Sequence, residues 1–292
     1  MILVDFSQIM VSNLMVMIAR NEYDPIFFRH WVLNSLRQYN VKFRGDYGEM
    51  TICCDSPSWR REYFPHYKMN RKKKRAADDI DWDSVFKNFN ETIEMIEDNF
   101  PYKVLRVDKS EADDIIAVSV KNFRETTQEP VLIISSDKDF MQLKKHGNVK
   151  QYCPRNKNFI NEVTDLETIH DNLLVHIITG DTSDGIPNIF SDDDSLVNEE
   201  KKQNRATKKR VEEVKNDIKS NNINKYSSAI SRNTVLIDLD KIPQDVVSEI
   251  LEHINKDRKG NMQKCFSYLM KNHYKELIKR IDDFQPLKYT GE

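Results

Sequence analysis

The sequence predicts an α/β fold, with a mostly parallel central sheet flanked by helices and a smaller all-helical C-terminal region. Through about residue 160, short runs of Val, Ile and Leu alternate with stretches of helical periodicity, a pattern typical of a doubly wound parallel sheet. Four of these apolar runs end on Asp or Glu or lead straight into them. Because the carboxyl ends of parallel strands meet at one edge of a sheet, we expect these acidic residues to converge there. We predict an α/β domain at 1–185 and a helical region at 186–292.

The predicted elements follow one another along the chain. Short apolar runs predict five strands, at 1–6, 51–55, 103–107, 131–136 and 149–153. Helical spacing of apolar residues, or helical pattern with charge, predicts helices at 8–20, 26–41, 80–99, 111–124, 205–222, 244–256 and 262–283, with a short one around 140–144. Ser110, with Asp113 three residues later, resembles a capping box at the start of the helix at 111–124.

Composition excludes several classes of protein. The 292 residues carry a formal net charge of −2, and their apolar runs are too short to span a membrane. The chain starts directly with a strand-like run, so we expect a soluble intracellular protein. The four cysteines form no C-x-x-C pair, which favours reduced, buried thiols over zinc or disulfides. The seven glycines form neither a dinucleotide-binding motif nor a P-loop.

The acidic residues at the strand ends indicate a site for divalent cations. A single Asp after a strand is often only the N-cap of the next helix, and for each of Asp5, Asp55 and Asp137 that alternative stays open. Capping does not explain acidic pairs, however, and three pairs occur: Glu111 with Asp113, Asp137 with Asp139, and Asp181 with Asp184. Carboxylates that converge on one edge repel each other unless cations neutralise them, so we predict a polynuclear site for Mg²⁺.

Two basic stretches indicate contact with nucleic acid. Residues 57–80, the basic segment, contain the run WRREYFPHYKMNRKKKR, in which basic side chains for phosphates are interleaved with the aromatic residues Tyr63, Phe64 and Tyr67, which could stack on bases. A solvated basic loop or a localisation signal is the alternative. The second stretch, Arg205 to Arg210, fits a charged helix face equally well.

Several motifs, in order along most of the chain, resemble the 5′-nuclease superfamily of flap endonucleases, polymerase 5′→3′ exonuclease domains and phage RNase H. The T-even phage RNase H group is the most similar. The motifs are ILVDFS at 2–7, CCD at 53–55, WRREYFPHYKMNR at 59–71, EADDIIA at 111–117, ISSDKDFMQL at 134–143, GDTSDGIPNI at 180–189 and, more weakly, VLIDLDKIP at 235–243. The resemblance implies the PIN-like fold of that superfamily.

The resemblance also implies roles for individual residues. One Mg²⁺ would be surrounded by Asp5, Asp55, Glu111 and Asp113, and a second by Asp137, Asp139, Asp181 and Asp184, with Mn²⁺ as a substitute metal. Asp114 would support them, and Lys68, with Arg60 and Tyr67, would grip the scissile phosphate. The remaining nucleic-acid contacts would come from Arg61, Arg71, Lys72, Lys73, Lys74, Arg75, Arg205, Thr207, Lys208 and Lys209. Family members continue past GIP into a glycine-rich hairpin, whereas this chain continues into the acidic loop 191–204.

The expected activity is a metal-dependent 5′→3′ exonuclease and 5′-flap endonuclease with RNase H activity, removing primers during DNA replication. The resemblance implies a phage protein working as a monomer in the bacterial cytoplasm, with DNA and RNA–DNA hybrids as substrates and single-strand-binding protein and sliding clamp as partners. Two alternatives remain: a haloacid-dehalogenase-like phosphatase with Asp137 as nucleophile, and a non-catalytic DNA-binding replisome protein. Neither explains the whole acidic set, since the first leaves Asp5, Asp55 and Glu111 without a role.

Overall fold

A computed structural model describes residues 1–160, 165–220, 222 and 225–291, without the side chain of Lys74. The chain forms two compact units. Unit 1 comprises Met1–Pro57, Asp83–Glu162 and Asp245–Glu292, and unit 2 comprises Ser58–Trp82 and Val163–Gln244. This grouping differs from the boundary predicted after residue 185, which stays a prediction.

Unit 1 is built on a six-stranded sheet. Its strands are β1 (Ile2–Asp5), β2 (Met50–Cys54), β3 (Lys103–Arg106), β4 (Val131–Ile134), β5 (Val149–Cys153) and β6 (Asn158–Phe159). Their order across the sheet is β3-β2-β1-β4-β5-β6. All neighbours run parallel except β6, which pairs with β5 antiparallel. The predicted fold class is confirmed, and the five predicted strands are β1 to β5.

The register brings the carboxyl ends of the central strands level with one another. Leu3 in β1 lies opposite Thr51 in β2 and Ile133 in β4. Every residue of β1, β2 and β4 is buried, as expected for parallel strands covered on both faces. The residues that follow these strands, among them Asp55 and Asp137, therefore leave the sheet along the same edge as Asp5.

Helices cover both faces of this sheet, as the right-handed crossovers between parallel strands require. In unit 1 they are α1 (Phe6–Ala19), α2 (Pro25–Tyr47), α5 (Trp82–Asn99), α6 (Ala112–Thr126), α10 (Gln244–Asn255), α11 (Met262–Lys271) and α12 (Lys275–Ile278). A 3-10 helix, Lys138–His146, follows β4, and another, Ile281–Phe284, follows α12. The single helix predicted at 262–283 is therefore three short ones.

The last helices pack back onto other parts of unit 1, namely α2 and the residue that follows α5. The Asn40 side-chain amide donates to the carbonyl oxygens of Asp283 and Gln285, at 2.8 and 3.1 Å. A Cβ on Gly260 would lie 2.0 Å from the carbonyl oxygen of Phe100, so the chain approaches too closely there for any other residue. Sequence periodicity predicts these helices but not which part of the molecule they cover.

Unit 2 is helical. It contains α3 (Arg60–Tyr63), α4 (Met69–Ala76), α7 (Leu166–Thr179), α8 (Lys208–Lys219) and α9 (Ser227–Ile237). Its core joins the basic segment to α7 and α9, because Phe64 and Tyr67 are buried against Ile177, Ile186 and Leu236. No described helix in either unit is long and apolar enough to cross a membrane.

One local prediction needs correction. The capping box of α6 lies one residue later than predicted: Glu111 is the N-cap, and its backbone N–H donates to Asp114 at 3.0 Å, whereas the Ser110 hydroxyl donates to the Val107 carbonyl at 2.8 Å. The apolar run before Asp181 is the end of the helix α7. The Asp181 and Asp184 pair is therefore not placed by the sheet.

Candidate functional site

Asp5 is a buried carboxylate at the carboxyl edge of the unit 1 sheet. It ends β1 and caps α1, so its Oδ1 accepts a hydrogen bond from the Gln8 backbone N–H at 3.2 Å. Its Oδ2 accepts from the hydroxyl of Ser135, just beyond β4, at 2.9 Å. The side chain is thus held at both oxygens, and the residue is only 8% exposed.

The acidic residues after β2 and β3 come together through the first turn of α6. The Ala112 backbone N–H donates to Asp55 Oδ1 at 2.7 Å, which ties the residue after β2 to the start of that helix. Glu111 is buried, Asp113 is half-buried and Asp55 is exposed. Asp114, expected in a supporting position, is completely buried and receives the Glu111 backbone N–H.

The pair after β4 forms a tight turn at the same edge. Asp137 Oδ1 accepts from the backbone N–H of Asp139 at 3.0 Å, and the Asp137 N–H donates to the hydroxyl of Ser135 at 3.1 Å. Ser135 thus links this turn to Asp5. The Gln151 side-chain amide donates to the backbone carbonyl of Asp137 at 2.6 Å and so holds the turn against β5. Both carboxylates are half-buried.

The electrostatics of this edge fit a divalent cation. Burial, then the neighbouring carboxylate of Asp55 and, to a smaller extent, that of Asp137 together raise the pKa of Asp5 to about 7. A carboxylate that is buried beside like charges is stable in its ionised form only with a compensating cation. Because every donor here is a carboxylate oxygen, the set suits hard cations such as Mg²⁺ or Mn²⁺.

The other predicted acidic pair lies in unit 2, in a turn at 181–186 that we call the acidic turn. Asp181 and Ile186 exchange two backbone hydrogen bonds, at 2.9 and 2.8 Å. Gly180 enters the turn with φ of 67°, and a Cβ there would lie 2.5 Å from the carbonyl oxygen of Ile186. Asp181 Oδ1 accepts from the backbone N–H and hydroxyl of Ser183, at 2.8 and 2.6 Å. These requirements explain Gly180, Asp181 and Ser183 of the GDTSDGI pattern.

Asp184 accepts hydrogen bonds and charge from the basic segment. Its Oδ2 lies 3.0 Å from the Tyr67 hydroxyl and 3.4 Å from the Lys68 Nζ. Its Oδ1 is ion-paired with the Arg71 guanidinium. The backbone pairs as well, since the Lys68 N–H donates to the Asp184 carbonyl at 2.7 Å. The predicted phosphate-binding residues Lys68, Tyr67 and Arg71 therefore meet a predicted metal ligand within one unit.

One residue of this region was missed from sequence. His176, on α7, places its Nε2 3.1 Å from Asp181 Oδ2 and so holds the oxygen that Ser183 does not. None of the seven histidines has a metal-ligand spacing in the sequence, so His176 is not among the predicted site residues. The only available indication was that His176 lies about one helical turn before Gly180, which directly precedes Asp181.

Arg60, predicted to grip the phosphate, is buried instead among structural partners. It is 3% exposed, its Nε donates to the carbonyl of Leu236 at 2.9 Å, and its guanidinium lies over the Trp59 ring. This geometry favours a structural role, and the catalytic role stays a prediction. Of the aromatic residues expected to stack on bases, Phe64 and Tyr67 are buried in the core of unit 2, and only Tyr63 is exposed.

The remaining basic residues of the basic segment also lie in unit 2, where Arg61 is exposed and Arg75 is half-buried. Burial, and then the positive charges of Arg71 and Arg61, lower the pKa of Arg75. Lys72 and Lys73 are exposed, and Lys73 pairs with Glu199 at 3.1 Å. The side chain of Lys74 lies outside the described residues.

The second basic stretch begins α8. Thr207 is the N-cap and accepts the Arg210 backbone N–H at 3.4 Å, while Lys208 and Lys209 start the helix and are exposed with Arg205. The acidic loop before it is closed by side-chain amides, since the Asn204 side chain donates to the Phe190 carbonyl at 2.5 Å and that of Asn188 to the Asn204 carbonyl at 2.8 Å. The glycine-rich hairpin of the resemblance is thus replaced by a compact loop.

Comparison with known families and proteins agrees with this architecture. Residues 3–174 match the model of the 5′-3′ exonuclease N-terminal resolvase-like domain, and residues 168–284 match the C-terminal domain of T4 RNase H. The chain is 33% identical to ribonuclease H of Enterobacteria phage T4 over 97% of its own length and 95% of that protein.

Solved structures of phage T5 proteins share the fold. One crystallised with metal ions has a TM-score of 0.58 at 18% identity, covering 86% of this chain and 98% of the other. The T5 5′-exonuclease with bound zinc has the same TM-score and identity, with 87% and 97% covered. A T5 flap endonuclease in complex with DNA and metal ions has a TM-score of 0.57 at 18% identity, with 87% and 99% covered.

Proposed function

Because the chain belongs to the 5′-3′ exonuclease family, in which phage T4 ribonuclease H is its relative, we propose that this nuclease acts on the 5′ ends and flaps of DNA and of RNA annealed to DNA. The reaction would be hydrolysis of a phosphodiester, leaving a 5′-phosphate and a 3′-hydroxyl. The expected task is the removal of RNA primers and flaps during replication. This membership supports the nuclease over a phosphatase or a non-catalytic DNA-binding protein.

The observation that carries the proposal is the buried Asp5 carboxylate at the sheet edge, beside Asp55 and Asp137. We propose that these residues, with Glu111, Asp113 and Asp139, hold Mg²⁺, with Mn²⁺ as a substitute. The assignment of Asp181 and Asp184 to a second ion rests on the family motif alone. When bound, such ions neutralise the phosphate and lower the pKa of a coordinated water.

The side chains that carry the positive charge have distinct parts in this proposal. Lys68 and Arg71 would bind the scissile phosphate, where Arg71 offers a forked donor and Lys68 a point charge. The hydroxyl of Tyr67 would orient the anion between them. Negative charge that develops on the phosphate during hydrolysis would then meet donors already in position.

Substrate strands would be held mainly by exposed charge. Arg61, Lys72, Lys73, Lys74 and Arg75 of the basic segment, with Arg205, Thr207, Lys208 and Lys209 at the start of α8, are proposed as phosphate contacts that carry no sequence preference. Single-strand-binding protein and the sliding clamp are proposed as replication partners, and the enzyme as a monomer in the cytoplasm of a bacterial host.

The test is a cleavage panel of flap, nicked and RNA–DNA hybrid substrates, each with Mg²⁺ and with a chelator. Since removing a partner of a metal ligand costs about 10- to 100-fold, removing the ligand in Asp137→Asn should lower cleavage by more than about 100-fold. Asp46→Asn, an exposed carboxylate on α2, is the matched control and should cleave normally. Cleavage at the wild-type rate by Asp137→Asn would show that the site is assigned wrongly.

A further inference from the structure

We propose that Asp184 acts as a placeholder for the scissile phosphate, holding Tyr67, Lys68 and Arg71 in their phosphate-binding arrangement until the substrate displaces it. This inference rests on the proposed function, because it concerns the same phosphate-binding residues. It adds a competition inside unit 2 between a carboxylate of the protein and a phosphate of the nucleic acid.

The first support is the chemistry of the contact. A carboxylate that receives a Tyr hydroxyl at 3.0 Å, a Lys ammonium at 3.4 Å and an Arg guanidinium is surrounded as a phosphate oxygen pair would be. Asp184 and Lys68 are largely enclosed, with side chains 17% and 13% exposed, so their attraction is weakly screened by solvent. An incoming phosphate must therefore replace this carboxylate to reach Lys68.

The second support is the density of the backbone contacts around it. The Asn70 side-chain amide donates to the Thr182 carbonyl oxygen at 2.6 Å, and the Arg71 Nε donates to that of Ser183 at 3.1 Å. The Lys68 backbone N–H donates to the Asp184 carbonyl oxygen at 2.7 Å. These bonds do not involve the Asp184 side chain, so they hold the donors in place when it leaves. The carboxylate can therefore turn away without dismantling the group of donors.

A third observation shows why the chain needs such a counter-charge. Lys68 adopts a left-handed backbone conformation, with φ of 57°, directly before α4. This conformation is unfavourable for a residue with a side chain, and the Lys68 ammonium and the Arg71 guanidinium, two like charges that repel each other, both meet at the Asp184 carboxylate. The negative charge of Asp184 offsets this repulsion in the absence of nucleic acid.

The proposal predicts that removing the charge of Asp184 makes metal-free nucleic-acid binding tighter. With a fluorescent 5′-flap DNA in EDTA, fluorescence anisotropy should show Asp184→Asn binding about 3- to 10-fold more tightly than wild type at 0.1 M salt. The slope of log K against log salt should steepen by about 1, since in the wild type the displaced carboxylate takes up a cation that offsets one of those released from the phosphates. The matched control is Glu199→Gln, which removes a carboxylate paired with Lys73, an exposed residue of the basic segment. This variant should change the affinity by less than about twofold.

A double-mutant cycle separates displacement from simple loss of negative charge. In an Arg71→Gln background, the gain from Asp184→Asn should fall to less than half, because one of the displaced partners is missing. An undiminished gain would mean general repulsion and would overturn the proposal, as would an equal gain from Glu199→Gln. Should Asp184→Asn not fold, Arg71→Gln alone decides: a loss of metal-free affinity below about twofold supports a guanidinium engaged by Asp184, and a loss of fivefold or more contradicts it.

The outcome is independent of whether the proposed function is correct. Flap cleavage by the wild-type protein with Mg²⁺ tests the nuclease proposal, whereas the anisotropy experiment uses no metal and no turnover. A protein that cleaves flaps but shows no gain in Asp184→Asn would lack only the placeholder. If Asp184→Asn binds more tightly but the wild-type protein does not cleave flaps, the placeholder proposal stands and the proposed function is wrong.

Discussion

Replacing Asp5 with Asn should stabilise the metal-free protein, although it removes a residue proposed to bind metal. The pKa of Asp5 is raised to about 7 by burial and by Asp55, whereas an unperturbed Asp titrates near 3.9, a difference of about 3 units. At about 1.36 kcal/mol per unit, the ionised side chain costs up to about 4 kcal/mol at neutral pH. Asn weakens the hydrogen bonds from Ser135 and Gln8, worth about 1 kcal/mol each, so we expect a net gain of about 1–3 kcal/mol.

The pH dependence has a definite sign. Below pH 4 the Asp5 carboxyl is protonated in both the folded and the unfolded chain and costs nothing. Between about pH 4 and 7 the unfolded chain releases this proton first, so the contribution of Asp5 makes the folded state less stable as pH rises. Above pH 7 the penalty is constant. Asp5→Asn should therefore have no advantage at pH 4, where mainly the weakened hydrogen bonds remain, and its largest advantage at pH 8.

The assay is urea unfolding in EDTA at these two pH values, repeated with Mg²⁺ at the higher one. Mg²⁺ should stabilise the wild-type protein more than the variant, because the cation relieves the repulsion that Asn has already removed. Asp46→Asn, exposed on α2, is the control for a change of one charge and should stay within about 0.5 kcal/mol of wild type. If Asp5→Asn is less stable than wild type in EDTA at pH 8, or if both gain equally from Mg²⁺, the reasoning about this edge is wrong.

Two further substitutions test the architecture of unit 2. Gly180→Ala should destabilise the protein by about 2 kcal/mol or more, because the new methyl group would lie 2.5 Å from the Ile186 carbonyl oxygen at a positive φ. Gly147 also has a positive φ, but a Cβ there has no neighbour within 4 Å. Gly147→Ala therefore measures the cost of the backbone conformation alone in the same denaturation experiment. Arg60→Met should lower unfolding stability by about 1–3 kcal/mol, since it leaves the buried carbonyl of Leu236 without this donor. If Arg60→Met instead unfolds like wild type and only its cleavage rate falls, Arg60 contacts the substrate.

The acidic edge of unit 1 could be predicted from sequence because strand periodicity determines it. Parallel strands that are buried on both faces read as short apolar runs, and whatever follows them must leave at one edge, as Asp5, Asp55 and Asp137 do. The acidic turn could not be predicted in this way. Its apolar run is the end of α7, so the sequence pointed to Asp181 and Asp184 through their acidic pairing and the family motif, and not through the end of a strand.

The basic segment shows a different limit of sequence reasoning. Helices α3 and α4 were missed because their sequences, RREY and MNRKKKRA, lack an apolar stripe from which helical periodicity can be read. They are held by tertiary contacts: Phe64 and Tyr67 anchor them in the core of unit 2. For the same reason these two aromatic residues, expected on the surface, are buried.

The two motifs that meet in unit 2 constrain each other more than either sequence pattern suggests. Tyr67, Lys68 and Arg71 all reach one carboxylate, with the first two directly before the start of α4 at Met69 and Arg71 in its first turn. The acidic turn can accept their donors only because Gly185 lets the chain pass close to His66, where a Cβ would lie 2.9 Å from the carbonyl oxygen. A substitution at Gly185 should therefore disturb the phosphate-binding donors although its own side chain carries no chemistry.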